Sequence, residues 1–343
     1  MNEKAAHASA SNLVRRGFDW SGTTPRLPYL LVTIAGMGLT SMIPFTRNFS
    51  GENTALLVVL SMVIPIWLGH TRRRLRDVGW SGWLMWVAFL PIIGLGLTIL
   101  LAFKPGGNLL DPAENRYSRL GFGAALLLSV WILSRAFWAP YWIPSGSMKP
   151  TLLVGDFLAV VPLSVPQRGD VLTVRLRDSN SEFIMRLIGL PGDTIEMRGG
   201  VIVLNDTPVE QLETGVFREG FAPQGSMPSR PRCSNENTTD AFCEKTELTE
   251  TLPNGRSYSI LNITDQRTDT TAPITLGEND YFLLGDNRDN SNDSRMPFEN
   301  GGVGVVPREN LNGRVTRVLF SSAGTRLLHV WTWRADRMFT RVE

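Results

Sequence analysis

The pattern of apolar and polar positions divides the chain at about residue 143. Before this point the sequence contains four long apolar stretches: Pro28–Phe45, Ala55–His70, Trp83–Phe103 and Leu120–Trp142. A membrane-spanning helix needs about 20 mostly apolar residues, with a range of about 17–25. Because four such stretches lie within one third of the chain, the pattern predicts a helical transmembrane region rather than the buried helices of a soluble domain.

Basic residues predict the direction of the last span. They form two clusters, Arg72–Arg74 with Arg76, and Lys104 with Arg116 and Arg119. Both clusters are interpreted as loops between apolar stretches, and the positive-inside rule places these loops in the cytoplasm. Either the third stretch is broken or re-entrant, which Pro91 would permit, or one cluster departs from the rule. The second cluster predicts that the chain after residue 143 is extracytoplasmic.

After residue 143 the pattern changes to short runs typical of β-strands. These runs cover residues 157–161, 170–176, 201–205, 258–264 and 281–286. Glycine, proline, asparagine and aspartate separate them, and the Asn-Asp pair after residue 204 predicts a tight turn. We therefore expect a mostly β domain. The polar segment of about 210–277 is interpreted as a loop-rich insertion, and the tail 321–343 as an amphipathic surface segment or a capping helix.

Charge and cysteine content narrow the function and the compartment. The net charge of +2 gives no global basic surface, so nucleic acid is not a predicted partner. Two cysteines, Cys233 and Cys243, lie in a polar segment. A disulfide is favoured over two free thiols if this segment is outside the cytosol. A zinc site is not predicted, because no histidine lies nearby.

Four polar segments are candidates for carrying chemistry: PSGSMKPTLLVGD (144–156), RGDVLTVR (168–175), MRLIGLPGD (185–193) and GDNRDNSNDSR (285–295). Taken singly, each has the composition of a turn. The last contains three aspartates that could bind calcium, but Arg288 and Arg295 oppose a cation there. No metal site or cofactor is predicted.

Together, in this order and after an apolar stretch, the four segments resemble those of bacterial type I signal peptidases over about residues 125–320. That family consists of membrane-anchored serine proteases with a mostly β catalytic domain. They cut signal peptides from precursor proteins at the outer face of the cytoplasmic membrane. The resemblance implies a serine endopeptidase in the lipid bilayer that acts on precursors carrying signal peptides.

Residues 18–118 resemble a second bacterial family, the DUF805 membrane proteins, in RRLRDVGWSGW (73–83) and ENRYS (114–118). This second resemblance implies no chemistry. The predicted organisation is a cytoplasmic tail (1–27), a DUF805-like membrane domain (28–118), a transmembrane anchor (119–143), a catalytic β domain (144–320) and the tail (321–343).

The resemblance implies roles for individual residues. Amide hydrolysis by serine needs a hydroxyl, a base that takes its proton, and donors for the oxyanion. Ser147 matches the nucleophile, while the Ser145 hydroxyl and the Ser147 amide match the oxyanion hole. Ser291 matches the serine that orients the base. Four further residues match ion pairs that hold the loops together: Arg186, Asp286, Asp293 and Arg295.

The sequence departs from the family at the general base. The family has a lysine there, and this chain has Met185, which cannot accept a proton from serine. The neighbouring guanidinium does not deprotonate in proteins, and the three histidines lie outside every motif: His7, His70 and His329. Lys149, one of four lysines, is two residues after Ser147 and could face the same way in an extended chain.

Several hypotheses follow from the sequence. The chain is an impaired or inactive protease, a protease with Lys149 as a substitute base, or a protease that receives its base from another chain. A rival hypothesis is a binding protein that holds signal peptides or other extended segments without cutting them. A further hypothesis is a membrane protein without enzymatic activity, whose function resides mainly in the first domain. An extended substrate would pair with a sheet edge, at 170–176 or just before Met185.

Overall fold

The computed structural model describes residues 24, 26–40, 51–89, 91–106, 127, 130–175, 182–224, 230–235, 242–324 and 329–342. The chain divides into two compact units, Met1–Phe137 and Trp138–Glu343. Most of the predicted cytoplasmic tail lies outside the described residues, as do Arg116, Arg119 and the first part of the predicted anchor.

The first unit is helical. It contains α1 (Arg26–Thr40), α2 (Gly51–Asp77), a 3-10 helix (Gly82–Phe89) and α3 (Pro91–Phe103). In the part of this unit that the structure describes, one helical segment, Ala55–Asp77, is long and apolar enough to cross a membrane, with a mean hydropathy of 1.6. The four predicted spans are therefore not supported as a set. The third predicted stretch is not one helix, and Pro91 begins α3, where its missing N–H costs nothing.

The first arginine cluster lies within a helix, so its prediction as a loop is wrong. Arg72, Arg73 and Arg74 occupy the last turns of α2 and are buried. Arg74 donates from Nε to the Leu101 carbonyl of α3 at 2.9 Å and pairs with Asp77. Arg74 thus joins α2 to α3, and all three arginines belong to the helix rather than to an exposed loop.

The second unit is built from antiparallel β-strands, which confirms the predicted mostly β domain. The strands are β1 (Ala139–Trp142), β2 (Asp156–Pro162), β3 (Val171–Arg175), β4 (Glu182–Gly189), β5 (Thr194–Arg198), β6 (Val201–Leu204), β7 (Thr207–Pro208), β8 (Glu210–Gly220), β9 (Phe242–Thr251), β10 (Ser257–Asn262), β11 (Ile274–Thr275), β12 (Asp280–Leu284), β13 (Val306–Pro307) and β14 (Leu311–Ser321). They form a seven-stranded sheet in the order β1-β2-β14-β3-β4-β12-β13, a four-stranded sheet β11-β5-β6-β7 and a three-stranded sheet β10-β9-β8.

Strand β4 separates the two cores of this unit, because successive side chains of a strand point to opposite faces. Met185 and Leu187 pack in one cluster with Leu172 of β3. Ile188 packs in the other with Ile195 of β5. The tight turn predicted after residue 204 joins β6 to β7, where Asn205 and Asp206 have φ of 51° and 63°. Such positive φ values are what two-residue hairpin turns require.

The predicted loop-rich insertion is wrong for much of its length. Residues 210–220, 242–251 and 257–262 form the sheet β10-β9-β8, which we call the arm. No residue of β8 is fully buried. The sequence of β8 therefore lacks the alternation of apolar and polar residues that identifies a strand with one buried face. Cys233 and Cys243 form a disulfide beside the arm, with their Cα atoms 5.1 Å apart.

The tail packs on β14. Val342 donates its N–H to the Thr316 carbonyl at 3.0 Å, and Val318 donates to the Thr340 carbonyl at 2.9 Å. Within residues 329–342 the structure contains two 3-10 turns and no α-helix. This segment is held on the sheet by backbone pairing and not by a capping helix.

Candidate active site

The turn that carries the predicted nucleophile, residues 144–156, joins β1 to β2. We call it the nucleophile turn. The Ile143 N–H donates to the Asp156 carbonyl, and the Gly155 N–H donates to the Ile143 carbonyl, both at 2.9 Å. These bonds close the base of the turn where its two ends meet. Met148 lies beneath it and is 1% exposed. The turn is therefore anchored from below by a buried apolar side chain.

The two serines of this turn lie next to each other. The Oγ atoms of Ser145 and Ser147 are 3.3 Å apart. Ser145 is exposed and Ser147 is half-buried. A nucleophilic hydroxyl with a second hydroxyl at this distance is an arrangement in which the second can donate to an oxygen that develops negative charge.

Asn287 connects the nucleophile turn to the segment 285–295, which follows β12. Its backbone N–H donates to the Ser147 carbonyl and its Nδ2 donates to the Gly146 carbonyl, both at 2.9 Å. No role for Asn287 was predicted from the sequence, although it lies within the motif at 285–295. Its double contact fixes the backbone of the predicted nucleophile.

Arg186 makes the second connection between these segments. It donates from Nε and Nη2 to the two oxygens of Asp286, each at 2.8 Å, and from Nη2 to Thr151 Oγ1 at 3.2 Å. Its guanidinium also lies over the ring of Tyr258, 4.0 Å from the centroid. Arg186 and Asp286 are each 1% exposed. A two-point pair of this kind has a defined geometry as well as charge complementarity.

Asp293 and Arg295 form an ion pair within the segment 285–295. Arg295 donates from Nε to Asp293 Oδ1 at 2.8 Å, and the Gly285 N–H donates to Asp293 Oδ2 at 3.1 Å. The four charged residues predicted as scaffold thus form two buried pairs, one between segments and one that closes the loop on itself.

Met185 and Ser291 occupy the place where the family resemblance predicts a lysine and its orienting serine. Met185 is 3% exposed, and its cluster includes Leu283 of β12. The β4–β12 pairing joins Arg186 to Leu284, so Gly285 follows alongside Met185. A Cβ atom on Gly285 would collide with Ser291 Oγ. Among the described residues, the buried Ser291 hydroxyl has no hydrogen-bond partner.

The side chain of Lys149 points towards the arm. Its Nζ pairs with Glu219 of β8 and donates to Gln224 Oε1 at 2.8 Å. Burial lowers the pKa of Lys149, and the carboxylate of Glu219 acts in the opposite direction. Burial would raise the pKa of Glu219, but its contacts with Lys149 and Lys245 outweigh burial and lower it. Glu219 was not predicted as part of the site, because nothing in the local sequence relates it to a lysine 70 residues earlier.

Other groups that could serve as a base or bind a metal lie elsewhere. His70 is in α2 and His329 is in the tail, where it stacks on Trp331 at 4.8 Å. His7 lies outside the described residues. In the part of the chain that the structure describes, no group of three or more histidine, cysteine, aspartate or glutamate residues could hold a metal ion.

Two family models match this chain. Residues 117–320 match the model described as signal peptidase, peptidase S26, and residues 17–119 match the protein of unknown function DUF805. Both resemblances predicted from the motifs are thereby confirmed. The peptidase model covers more than half of the chain and includes all the segments described above.

The chain is also similar to signal peptidase I of several Rickettsia species. It is 31% identical to that of Rickettsia akari over 230 residues, which cover 58% of this chain and 75% of the relative. It is 32% identical to that of Rickettsia typhi over 217 residues, 53% of this chain and 72% of the relative. Among solved structures, a signal peptidase I from Enterococcus faecalis matches with 22% identity and a TM-score of 0.23, covering 45% of this chain and 99% of that one.

Proposed function

Because this chain belongs to the peptidase S26 family of signal peptidases, we propose that it acts on precursor proteins with N-terminal signal peptides, as a serine endopeptidase with Ser147 as the nucleophile. The observation that carries the proposal is the geometry of the nucleophile turn. Ser147 has the Ser145 hydroxyl at 3.3 Å, and its own backbone is fixed by Asn287. Fixed donors at a developing oxyanion need no reorganisation during the reaction.

The reaction follows from these groups. The Ser147 oxygen attacks the carbonyl carbon before the cleavage site, and the Ser145 hydroxyl with the Ser147 N–H donates to the oxygen that becomes negative. As the Ser147 proton is lost, the peptide C–N bond breaks, the amine of the mature protein leaves with a proton, and the signal peptide remains as an ester on Ser147. A water molecule then attacks this ester, loses a proton, and releases the signal peptide as a carboxylate while the Ser147 hydroxyl is restored. Met185 can neither accept nor donate these protons. A positioned base contributes about 10²–10⁴-fold, so hydrolysis by this chain is slow and is limited by proton transfer.

A second candidate function is binding of precursors without cleavage. The observation in its favour is the pair Met185 and Ser291. The thioether fills the position of the base, and the buried Ser291 hydroxyl has no partner among the described residues. The same site would then hold an extended segment by main-chain pairing with a sheet edge, and Ser147 would remain unmodified.

We place the peptidase unit on the outer side of the cytoplasmic membrane. The disulfide between Cys233 and Cys243 supports this location, because disulfides persist in oxidising compartments. The apolar segment Ala55–Asp77 is consistent with a membrane anchor. A reporter enzyme fused after Glu343 tests the location. Activity of a reporter that works only outside the cytoplasm is expected, and activity of a cytoplasmic one would contradict it.

One experiment separates cleavage from binding. The purified full chain is incubated with a labelled precursor, with Ser147→Ala as the control. Slow cleavage that Ser147→Ala abolishes would support the peptidase, whereas equal capture of uncleaved precursor by both proteins would support the binding function. If neither cleavage nor capture occurs, both functions are wrong.

A further inference from the structure

Two of the four lysines in the chain meet at one carboxylate of the arm. Lys149 pairs with Oε2 of Glu219, and Lys245 pairs with Oε1. Gln224 contacts both partners, because it accepts from Lys149 and donates to Glu219 Oε2 at 2.7 Å. The side chains of Lys149, Lys245 and Glu219 are 4%, 1% and 10% exposed. A buried charge without a partner is costly. The three side chains must therefore keep these pairs, which fixes their positions relative to one another.

Lys149 brings this cluster to the nucleophile turn. A Cβ atom placed on Gly146 would lie 3.2 Å from Lys149 Cε and 3.4 Å from Asn290 Nδ2. The lysine stem therefore packs against the residue before Ser147. Glu219, near the end of β8, is held beside the nucleophile turn through this lysine.

The arm has further connections to the segment 285–295. Arg288 pairs with Glu250 of β9, and Leu261 of β10 donates its N–H to the Asp286 carbonyl at 2.8 Å. Arg232 donates from Nη1 to the Asp289 carbonyl at 2.6 Å. The residue after it, Cys233, is bonded to Cys243, which is the β9 partner of Glu219. The arm is thus attached to both halves of the site, and the contact of Lys149 with Glu219 is its attachment to the nucleophile turn.

Strand β8 is one of the two edge strands of the arm in the described part of the chain, and β10 is the other. The outer edge of β8 carries main-chain N–H and C=O groups that can pair with an extended peptide. Six of its eleven residues are polar or charged, although Leu212 and Val216 are also exposed. A polar edge suits the polar segment after the cleavage site better than the apolar signal peptide before it.

We propose that β8 binds the precursor segment that follows the scissile bond, and that Lys149 and Glu219 are positioning residues that hold this edge at Ser147. This inference rests on the proposed action on precursors. It gives Lys149 a role other than that of a substitute base, because its ammonium is directed to Glu219 and Gln224. The charged groups that face it are Glu219, Lys245 and Arg334.

The test measures binding to the full chain with Ser147→Ala, so that no probe is cut. Two labelled synthetic peptides share a signal peptide; one ends two residues after the cleavage site, and the other continues for about ten polar residues. Lys149→Met removes the connection to the turn but leaves Glu219 paired with Lys245. It should weaken binding of the long peptide about tenfold and leave the short peptide within about twofold, and Lys149→Arg should restore most of the loss.

Lys245→Met is the matched control, because it removes the other lysine from the same carboxylate without touching the nucleophile turn. It should change neither affinity by more than about twofold. Equal weakening by Lys245→Met and Lys149→Met, or equal affinity of all variants for the long peptide, would overturn this inference and leave the proposed function intact. If neither peptide binds the Ser147→Ala chain, the proposed function fails as well.

Discussion

Arg186 and Asp286 form a fully buried two-point ion pair, and this pair fixes the segment that follows β12 to strand β4. Removing one partner of a buried pair leaves the other charge without compensation, at a cost of about 3–5 kcal/mol. For a unit of this size, each kcal/mol lowers the melting temperature by about 2–4 °C. We therefore expect Arg186→Met to lower the melting temperature by roughly 6–20 °C, as followed by tryptophan fluorescence.

The control for this prediction is Arg175→Met. Arg175 pairs with Glu182 at 3.1 Å, but its side chain is 40% exposed. Pairs of this kind contribute about 0–1 kcal/mol, so the melting temperature should change little. Similar shifts for the two variants would show that the buried pair does not determine the stability of the site.

Met185→Lys should increase the rate of precursor cleavage by about 10²–10⁴-fold, because it supplies the missing base. The surroundings of Met185 are apolar, which favours the neutral amine. The Ser291 hydroxyl, which has no partner among the described residues, would gain one. The measurement is single-turnover cleavage of a labelled precursor by the full chain.

Met185→Leu is the control for size and should give no gain in cleavage rate. Ser291→Ala in the Met185→Lys background should lose much of the gain, because the amine would lack its orienting partner. A folded Met185→Lys protein that cleaves no faster than the wild type would contradict the assignment of Met185 as the limit on catalysis.

Ser145→Ala, made in the Met185→Lys background, should slow cleavage by about 10²–10³-fold through loss of one oxyanion donor. The Ser147 N–H remains, so activity should not vanish. Ser145→Thr keeps the hydroxyl and should retain most of the activity. If Ser145→Ala cleaves as fast as its parent, the hydroxyl at 3.3 Å from Ser147 Oγ does not act on the transition state.

The stability contributed by Glu219 should depend on pH. Its contacts with Lys149 and Lys245 lower its pKa in the folded state relative to its ordinary value of 4.5. The unfolded chain therefore takes up the proton first as the pH falls. The contribution is complete above pH 4.5 and is lost as the pH falls through the lower pKa of the folded state.

The measurement compares the melting temperatures of wild type and Glu219→Gln between pH 3 and pH 7, a range of about four units around that value. The wild type should be more stable near neutral pH, and the difference should shrink at the acid end. A difference that stays constant across the range, or grows at low pH, would show that the carboxylate is not the stabilising partner of the lysines.

The four polar segments could be recognised from the sequence, because each is a local motif; the chemistry assigned to them stays a prediction. In the nucleophile turn and in the segment 285–295, the residues that identify the motif follow one another along the chain. Strands β2, β3 and β12 have the apolar runs that are typical of buried strands. Arg186 and Asp286 were predicted from the same motifs as members of ion pairs that hold the loops together. The partner of each charge could be read only from the folded chain.

Strand β8 of the arm could not be predicted from apolar pattern, because none of its residues is fully buried and it is stabilised by main-chain pairing with β9. The contact of Lys149 with Glu219 was missed for another reason. Neither segment contains a sequence signal that points to the other residue. The two side chains meet only because the fold brings their segments together. The arginines of α2 were misassigned because a basic run after an apolar stretch resembles a loop, whereas here it continues the helix.

The two hydrogen bonds from Asn287 to the nucleophile turn join residues about 140 positions apart, with 141 positions between Asn287 and Gly146. Contacts of such high sequence separation form late, because the loop between them must be closed before they can contribute. During synthesis the nucleophile turn is complete long before the segment that fixes it has left the ribosome. The chain must therefore be synthesised beyond Asn287 before the backbone of Ser147 can be fixed, and a shorter nascent chain lacks both bonds that hold its predicted nucleophile.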